Sequence, residues 1–243
     1  MARGYPDYGN PFYTYGTPWI DPGVLFLGAF GFLPSDTTAH VIYADNFRYG
    51  IRAWILSHDF DGVDPCTQDV IVEVPPMSVE MDSGTSPLFG ISRLQRYINV
   101  TEPIAAGVEV GFRAYANRAE LYMYLKFGIG QPGRIGCVRF STFLSGNAQV
   151  YTGGAWVDIP GIHYQGDGTI FMTFKLSVDF IANKYIKFMY ANTIFDLSAY
   201  SLDLDPTADD LPLLVMLEAK PVSPASNFGY LGHVLVTADE NLS

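Results

Sequence analysis

Few patterns in this chain could carry out chemistry by themselves, and the nearest is Glu80-Met81-Asp82. On a strand, residues two apart point to the same face, so the triplet sets two carboxylates side by side. Hydrolysis of a glycosidic bond uses such a pair, one carboxyl as acid and the other as nucleophile or base. Short carboxylate pairs also arise on solvated strands, and the flanking Pro75-Pro76 and Gly84 leave room only for a short element here. Aspartates gather twice more, as Asp59, Asp61 and Asp64 and as Asp203, Asp205, Asp209 and Asp210. Hard oxygen ligands of this kind suit calcium, but neither cluster follows the EF-hand loop pattern, and Asp is also favoured in turns for its bonds to its own backbone. The histidines His40, His58, His163 and His233 stand at no metal-ligand spacing. There is no G-x-S-x-G nucleophile turn and no glycine-rich phosphate loop.

A second kind of chemistry is recognition by aromatic faces. In Val108 to Tyr115 the apolar set is Val108, Val110, Phe112 and Ala114, which leaves Glu109, Arg113 and Tyr115 on the other side. In Leu121 to Phe127 the core set is Leu121, Met123, Leu125 and Phe127, which leaves Tyr122, Tyr124 and Lys126. If these two strands pair, Tyr115, Tyr122 and Tyr124 form a patch flanked by Arg113 and Lys126. Such rings bury area while keeping a polar tip, which suits sugar faces and protein interfaces. Cross-strand tyrosines also serve sheet stability alone.

The elements that position these groups follow from a period of two. Ile170, Met172, Phe174, Leu176 and Val178 alternate with Thr173, Lys175, Ser177 and Asp179, break at Ala182-Asn183-Lys184, and resume at Ile186-Lys187-Phe188-Met189-Tyr190. This predicts a β-hairpin. Comparable segments recur at 40–43, 52–56, 70–74, 78–81, 91–100, 108–115, 121–127, 136–144, 148–151, 155–159, 213–219 and 232–238, with no helical stretch among them. Leu213 to Leu217 is apolar on both faces and reads as a central strand, whereas 199–212 reads as an acidic loop. No fixed repeat is present, which excludes a propeller or solenoid. The expectation is an all-β, antiparallel β-sandwich or jelly roll.

Residues 1–23 differ in composition: Tyr5, Tyr8, Phe12, Tyr13, Tyr15 and Trp19 are interleaved with Pro6, Pro11, Pro18 and Pro22. This is an extended arm, read as a strap that docks on a protein partner, with 24–243 as a single sandwich domain. The formal charge of −11 makes nucleic acid and anionic membranes poor partners. The apolar run 24–33 is too short to span a bilayer, and the N-terminus lacks the pattern of a signal peptide. Cys66 and Cys137 lack a metal-site spacing, and whether they pair is left open.

The run from Gly168 to Asp179, then Asn183-Lys184-Tyr185, then Asn192 to Ser198, resembles the concanavalin A-like lectin and laminin-G type of jelly roll. Tyr43-Ala44-Asp45-Asn46-Phe47 and His233 to Thr237 look like the paired terminal strands of that architecture, over about residues 40–240. The resemblance implies a possible calcium site at Asp45 and Asn46, besides Asp203 and Asp205. It also implies that a hydrolase of this fold carries a Glu three residues after the Asp of the carboxylate pair, where this chain has Thr85. The expected function is therefore non-enzymatic: a structural or interaction protein of a larger assembly, such as the decoration, tail or attachment protein of a phage particle. It is expected to form homo-oligomers and to reside in a virion or other extracellular assembly. The alternative is a glycan-binding module or a polysaccharide-active enzyme of the same fold.

Overall fold

A computed structural model describes residues 40–45, 47, 50–59, 62–68, 78–84, 90–100, 104–115, 117–126, 131–141, 148–162, 171–190, 193–206, 211–221 and 228–240. Strand residues dominate them. In chain order the strands are β1 (His40–Asp45), β2 (Ile55–Asp59), β3 (Cys66–Gln68), β4 (Ser78–Asp82), β5 (Ile91–Ile98), β6 (Ala105–Tyr115), β7 (Asn117–Lys126) and β8 (Gly133–Ser141). They continue as β9 (Gln149–Thr152), β10 (Ala155–Asp158), β11 (Met172–Asp179), β12 (Lys184–Tyr190), β13 (Thr193–Asp196), β14 (Asp203–Asp205), β15 (Leu211–Pro221) and β16 (Phe228–Ala238). The arm residues Tyr5, Tyr8, Phe12, Tyr13, Tyr15 and Trp19, the 70–74 segment, Asn46, Asp61, Thr85, Asp209 and Asp210 lie outside the described residues.

Two antiparallel sheets face each other. The first has the order β13-β12-β11-β6-β16-β4-β3, with β1 also on β16; the second runs β10-β9-β8-β7-β15-β5-β2, with β14 also on β8. The expected hairpin is β11–β12, closed by a turn in which the Asp179 carboxylate accepts from the Ile181 and Ala182 amides and Asn183 takes a φ of 57°. The expected terminal pairing is β1 on β16. Strand β15 is central, between β7 and β5, although Leu214 and Met216 on its outer side remain half-buried.

Alternation builds the core. Val108, Val110 and Phe112 of β6 and Phe174, Leu176 and Val178 of β11 meet Leu121 and Met123 of β7 and Leu213, Val215 and Leu217 of β15, all buried. Strand β16 keeps its phase by a register shift between Leu231 and His233, which lets Leu231, Val234 and Val236 all face inward. Phe140 of the second sheet stacks on Phe174 of the first at 3.8 Å between centroids and meets Phe112 edge-on at 6.0 Å. Tyr185 also crosses the sandwich: its hydroxyl donates to the Tyr151 carbonyl (2.6 Å) and accepts from the Cys137 amide (2.8 Å). Burial raises that phenol well above its ordinary value.

The outer face of the first sheet is withdrawn from water at its centre. Glu240, beyond the end of β16, lies against it, with its carboxylate 2.7 Å from Lys175 Nζ and 3.9 Å from Lys187 Nζ. The Ser177 hydroxyl donates to it at 2.9 Å, and the Thr237 hydroxyl bonds it too. A Cβ on Gly107 would meet this carboxylate, so the strand needs glycine beneath it. Removing one partner of a buried ion cluster leaves charge without compensation.

Two expectations are corrected. The segment 52–56 is not a strand from its start: Gly50 has a φ of 86°, the Trp54 amide bonds the Ile51 carbonyl, and β2 begins only at Ile55. The 199–212 segment is not all loop, because Asp203–Asp205 pairs with β8. Cys66 and Cys137 are both free thiols, one exposed on β3 and the other buried on β8.

Replacing Glu240 by Ala is expected to lower the unfolding free energy by about 3–5 kcal/mol, read from urea titration. A loss below about 1 kcal/mol would assign the cluster the weight of a surface pair. Ellman's reagent is expected to find one thiol per native chain and two after denaturation. The native one should react more slowly than free cysteine near about pH 8, since burial and then Glu80 and Asp82 raise the Cys66 thiol.

Candidate functional site

The expected tyrosine patch does not form. Strands β6 and β7 are joined through a single residue, 116, too few for a hairpin loop, and the chain passes there from the first sheet into the second. Arg113 thus lies on the first sheet, over the Tyr230 ring at 6.0 Å, and Tyr115 ends β6 opposite Phe228. Tyr122, Tyr124 and Lys126 stand on the outer face of the second sheet. Of these, Tyr124 is buried, with its hydroxyl where a Cβ on Gly133 would sit. Tyr122 donates to Glu120, and burial followed by the charges of its neighbours pushes its phenol far up.

The carboxylate pair Glu80 and Asp82 does share a face, on the outer side of β4. A row runs across four strands there, Cys66, Glu80, Tyr230 and Arg113, in register. Burial and then Asp82 push the Glu80 carboxyl above its usual range, while Asp82 accepts from the Gly84 amide at 2.8 Å. The described aspartates among those considered for calcium are engaged by protein groups. Asp45 accepts from the Phe47 amide (2.7 Å), the Trp54 indole (2.9 Å) and the Tyr43 hydroxyl (3.0 Å). Asp203 accepts from the Gly154 amide and holds the β9–β10 turn, where Gly153 and Gly154 take φ of 60° and 75°. Asp205 lies in β14 opposite Gly133. Asp59 pairs with Arg93 and Asp64 with His58. Among the described residues no group of three or more His, Cys, Asp or Glu could hold a metal ion.

The outer face of the second sheet is half-exposed and carries the densest arrangement of polar groups. One transverse row crosses seven strands in register: Ser57, Arg93, Glu218, Glu120, Arg139, Gln149 and Asp158. Four residues along each strand, two same-face positions on, lies a band of Tyr97, Leu214, Tyr124 and Ile135. The centre of the polar row is closed on itself. Lys220 sits between Glu120 (2.5 Å) and Glu218 (2.8 Å), Arg93 reaches Glu218 (2.6 Å) and Asp59 (2.9 Å), and Arg118 reaches Glu120 (3.2 Å). Burial opposes the charge on Lys220, but the two carboxylates outweigh it and its ammonium is held protonated.

At the β8–β10 end the row is open. Arg139 donates from Nε to Gln149 Oε1, and Gln149 donates from Nε2 to Asp158 Oδ1 at 2.6 Å. The Arg139 guanidinium lies over the Trp156 ring at 4.3 Å, and Tyr151 packs beside that ring at 5.1 Å. All but Asp158, which is exposed, are half-buried. Two aromatic rings, a guanidinium, an amide and a carboxylate on one accessible surface can stack on and hydrogen-bond a polar, ring-shaped ligand. Sequence reasoning passed over this group because its members lie on three strands and none forms a local motif. The signal that could have found it is the alternation of β8, β9 and β10, which sets Arg139, Gln149, Tyr151, Trp156 and Asp158 aside from the inward Val138 and Val150.

The sequence matches no protein-family model and no curated protein. Its architecture does match solved structures. The cellulose induced protein Cip1 superposes with a TM-score of 0.52, over 79% of this chain and 95% of its own, at 11% identity. A carbohydrate esterase of the Shiga toxin-encoding bacteriophage phi24B does so at 0.51, over 83% and 100%, at 9% identity. The Crh5 transglycosylase gives 0.51, over 83% and 85%, at 10% identity. At these identities the likeness is one of architecture: the chain has the concanavalin A-like jelly-roll fold, an all-β antiparallel sandwich.

Proposed function

We propose that this protein binds a glycan, without cleaving it, on the outer face of the second sheet at β8–β10. The observation that carries the reading is the half-exposed group of Trp156, Tyr151, Arg139, Gln149 and Asp158, assembled in register on that face. Aromatic rings with adjacent hydrogen-bonding groups suit the mixed apolar and hydroxylated surface of a sugar. The names of the structural neighbours, an esterase and a transglycosylase of carbohydrates among them, support the same class of ligand.

Binding is preferred over catalysis because neither carboxylate pair stands free beside the aromatic group. Glu120 and Glu218 are buried and bridged by Lys220, so a proton donor for a leaving group would have to break an ion pair first. Glu80 and Asp82 stand on the other sheet from the aromatic group. An attachment role in a particle would use the same glycan face; its expected strap, residues 1–23, lies outside the described residues.

Affinity electrophoresis of the full chain through gels containing β-glucan, xylan, mannan or galactan is expected to show retardation by at least one of them. Trp156→Ala should then weaken binding by about tenfold or more, and no reducing ends should appear on incubation. Retardation unchanged by Trp156→Ala would move the site elsewhere, and release of reducing ends would overturn the non-enzymatic assignment.

A further inference from the structure

Resting on the glycan reading, the geometry points to a finer ligand class: we infer that the β8–β10 site selects a glycan bearing an isolated carboxylate, held by the two terminal amino groups of Arg139. Five basic residues, Arg93, Arg118, Lys126, Arg139 and Lys220, stand on the outer face of the second sheet in a chain whose formal charge is −11. Arg93, Arg118 and Lys220 are each bound to carboxylates of the same face. Arg139 differs. Among the described residues its side chain makes one hydrogen bond, from Nε to the neutral amide of Gln149, and no ion pair. Trp156 supports one side of the guanidinium plane, and the Gln149–Asp158 bond fixes the amide that orients it.

This leaves Nη1 and Nη2 as a fork, the donor geometry that matches a carboxylate with two parallel bonds. Burial and then Arg118 hold the guanidinium below its usual range, against the opposing charges of Glu120 and Asp158. A neutral sugar would leave that fork without an anionic partner. A densely charged polymer would meet the long-range repulsion of the −11 chain. One guanidinium with no direct ion pair among the described residues, beside two aromatic rings, therefore fits one acidic sugar among neutral ones.

Two matched pairs test this by calorimetry on the full chain: glucuronosyl-xylotriose against xylotriose, and sialyllactose against lactose, which separate a uronate from a sialate source. The acidic member of at least one pair is expected to bind about 10- to 100-fold more tightly than its neutral partner. Arg139→Gln should erase that preference, and Arg139→Lys, which keeps the charge but not the fork, should recover only part of it. Lys184→Gln, an equal change of charge at an exposed position on the first sheet, should leave it intact. Thermal unfolding of Arg139→Gln at the wild-type temperature would confirm that its loss is local. Equal binding within both pairs, or a preference that survives Arg139→Gln, overturns the carboxylate assignment while leaving a glycan face in place. Failure of these four saccharides and of the neutral polysaccharide gels together would remove the glycan reading itself.

Discussion

The carboxylate of Glu240 is the counter-charge on which the first sheet depends. Alternation puts Lys175 and Lys187 on the outer side of adjacent strands β11 and β12, next to each other and away from water. Two buried ammonium groups side by side repel and lose hydration. Glu240 answers both, and Gly107 gives its carboxylate the space to lie flat on the sheet. The centre of that outer face is thereby closed, and the candidate site lies on the outer face of the second sheet.

The second sheet solves the same problem differently along its length. Between β5 and β7 its charges compensate one another, with Lys220 shared by two glutamates. Toward β10 direct ion pairing gives way among the described residues, and an arginine rests on an indole instead of a carboxylate. A closed network contributes rigidity, whereas an incompletely compensated group at the rim keeps bonding capacity for a ligand. The contrast lies within one row of residues, so it reflects sequence at each strand and not a difference in backbone.

Much of the architecture was legible in the sequence because a period of two survives wherever one face is buried. The β11–β12 hairpin and the pairing of β1 with β16 were readable from Phe174, Leu176 and Val178 and from the flanks of Tyr43 and His233. The partner of a strand was not. Residues 105–126 hold two long alternating segments with no glycine or proline between Phe112 and Lys126, and a junction of a single residue left no room for a hairpin loop, which marks a change of sheet. Strand β14 escaped because three residues are too few to show alternation, and its aspartates pointed toward loop chemistry. The Arg139 group escaped for a more general reason: cross-strand neighbours are set by register, which local sequence does not encode.

The transverse row has a further consequence, which is metric. Neighbouring strands are about 4.8 Å apart, while same-face residues along one strand recur at roughly 6.8 Å. The face is thus a grid with two different rulings. An extended polymer laid across the strands passes from Arg93 to Asp158 through polar groups alone. Laid along β8, it passes from Arg139 through Cys137 to Ile135, out of charge and into the apolar band. The same surface offers two readings to two orientations, and the periodicity of whatever lies on it decides which one is used.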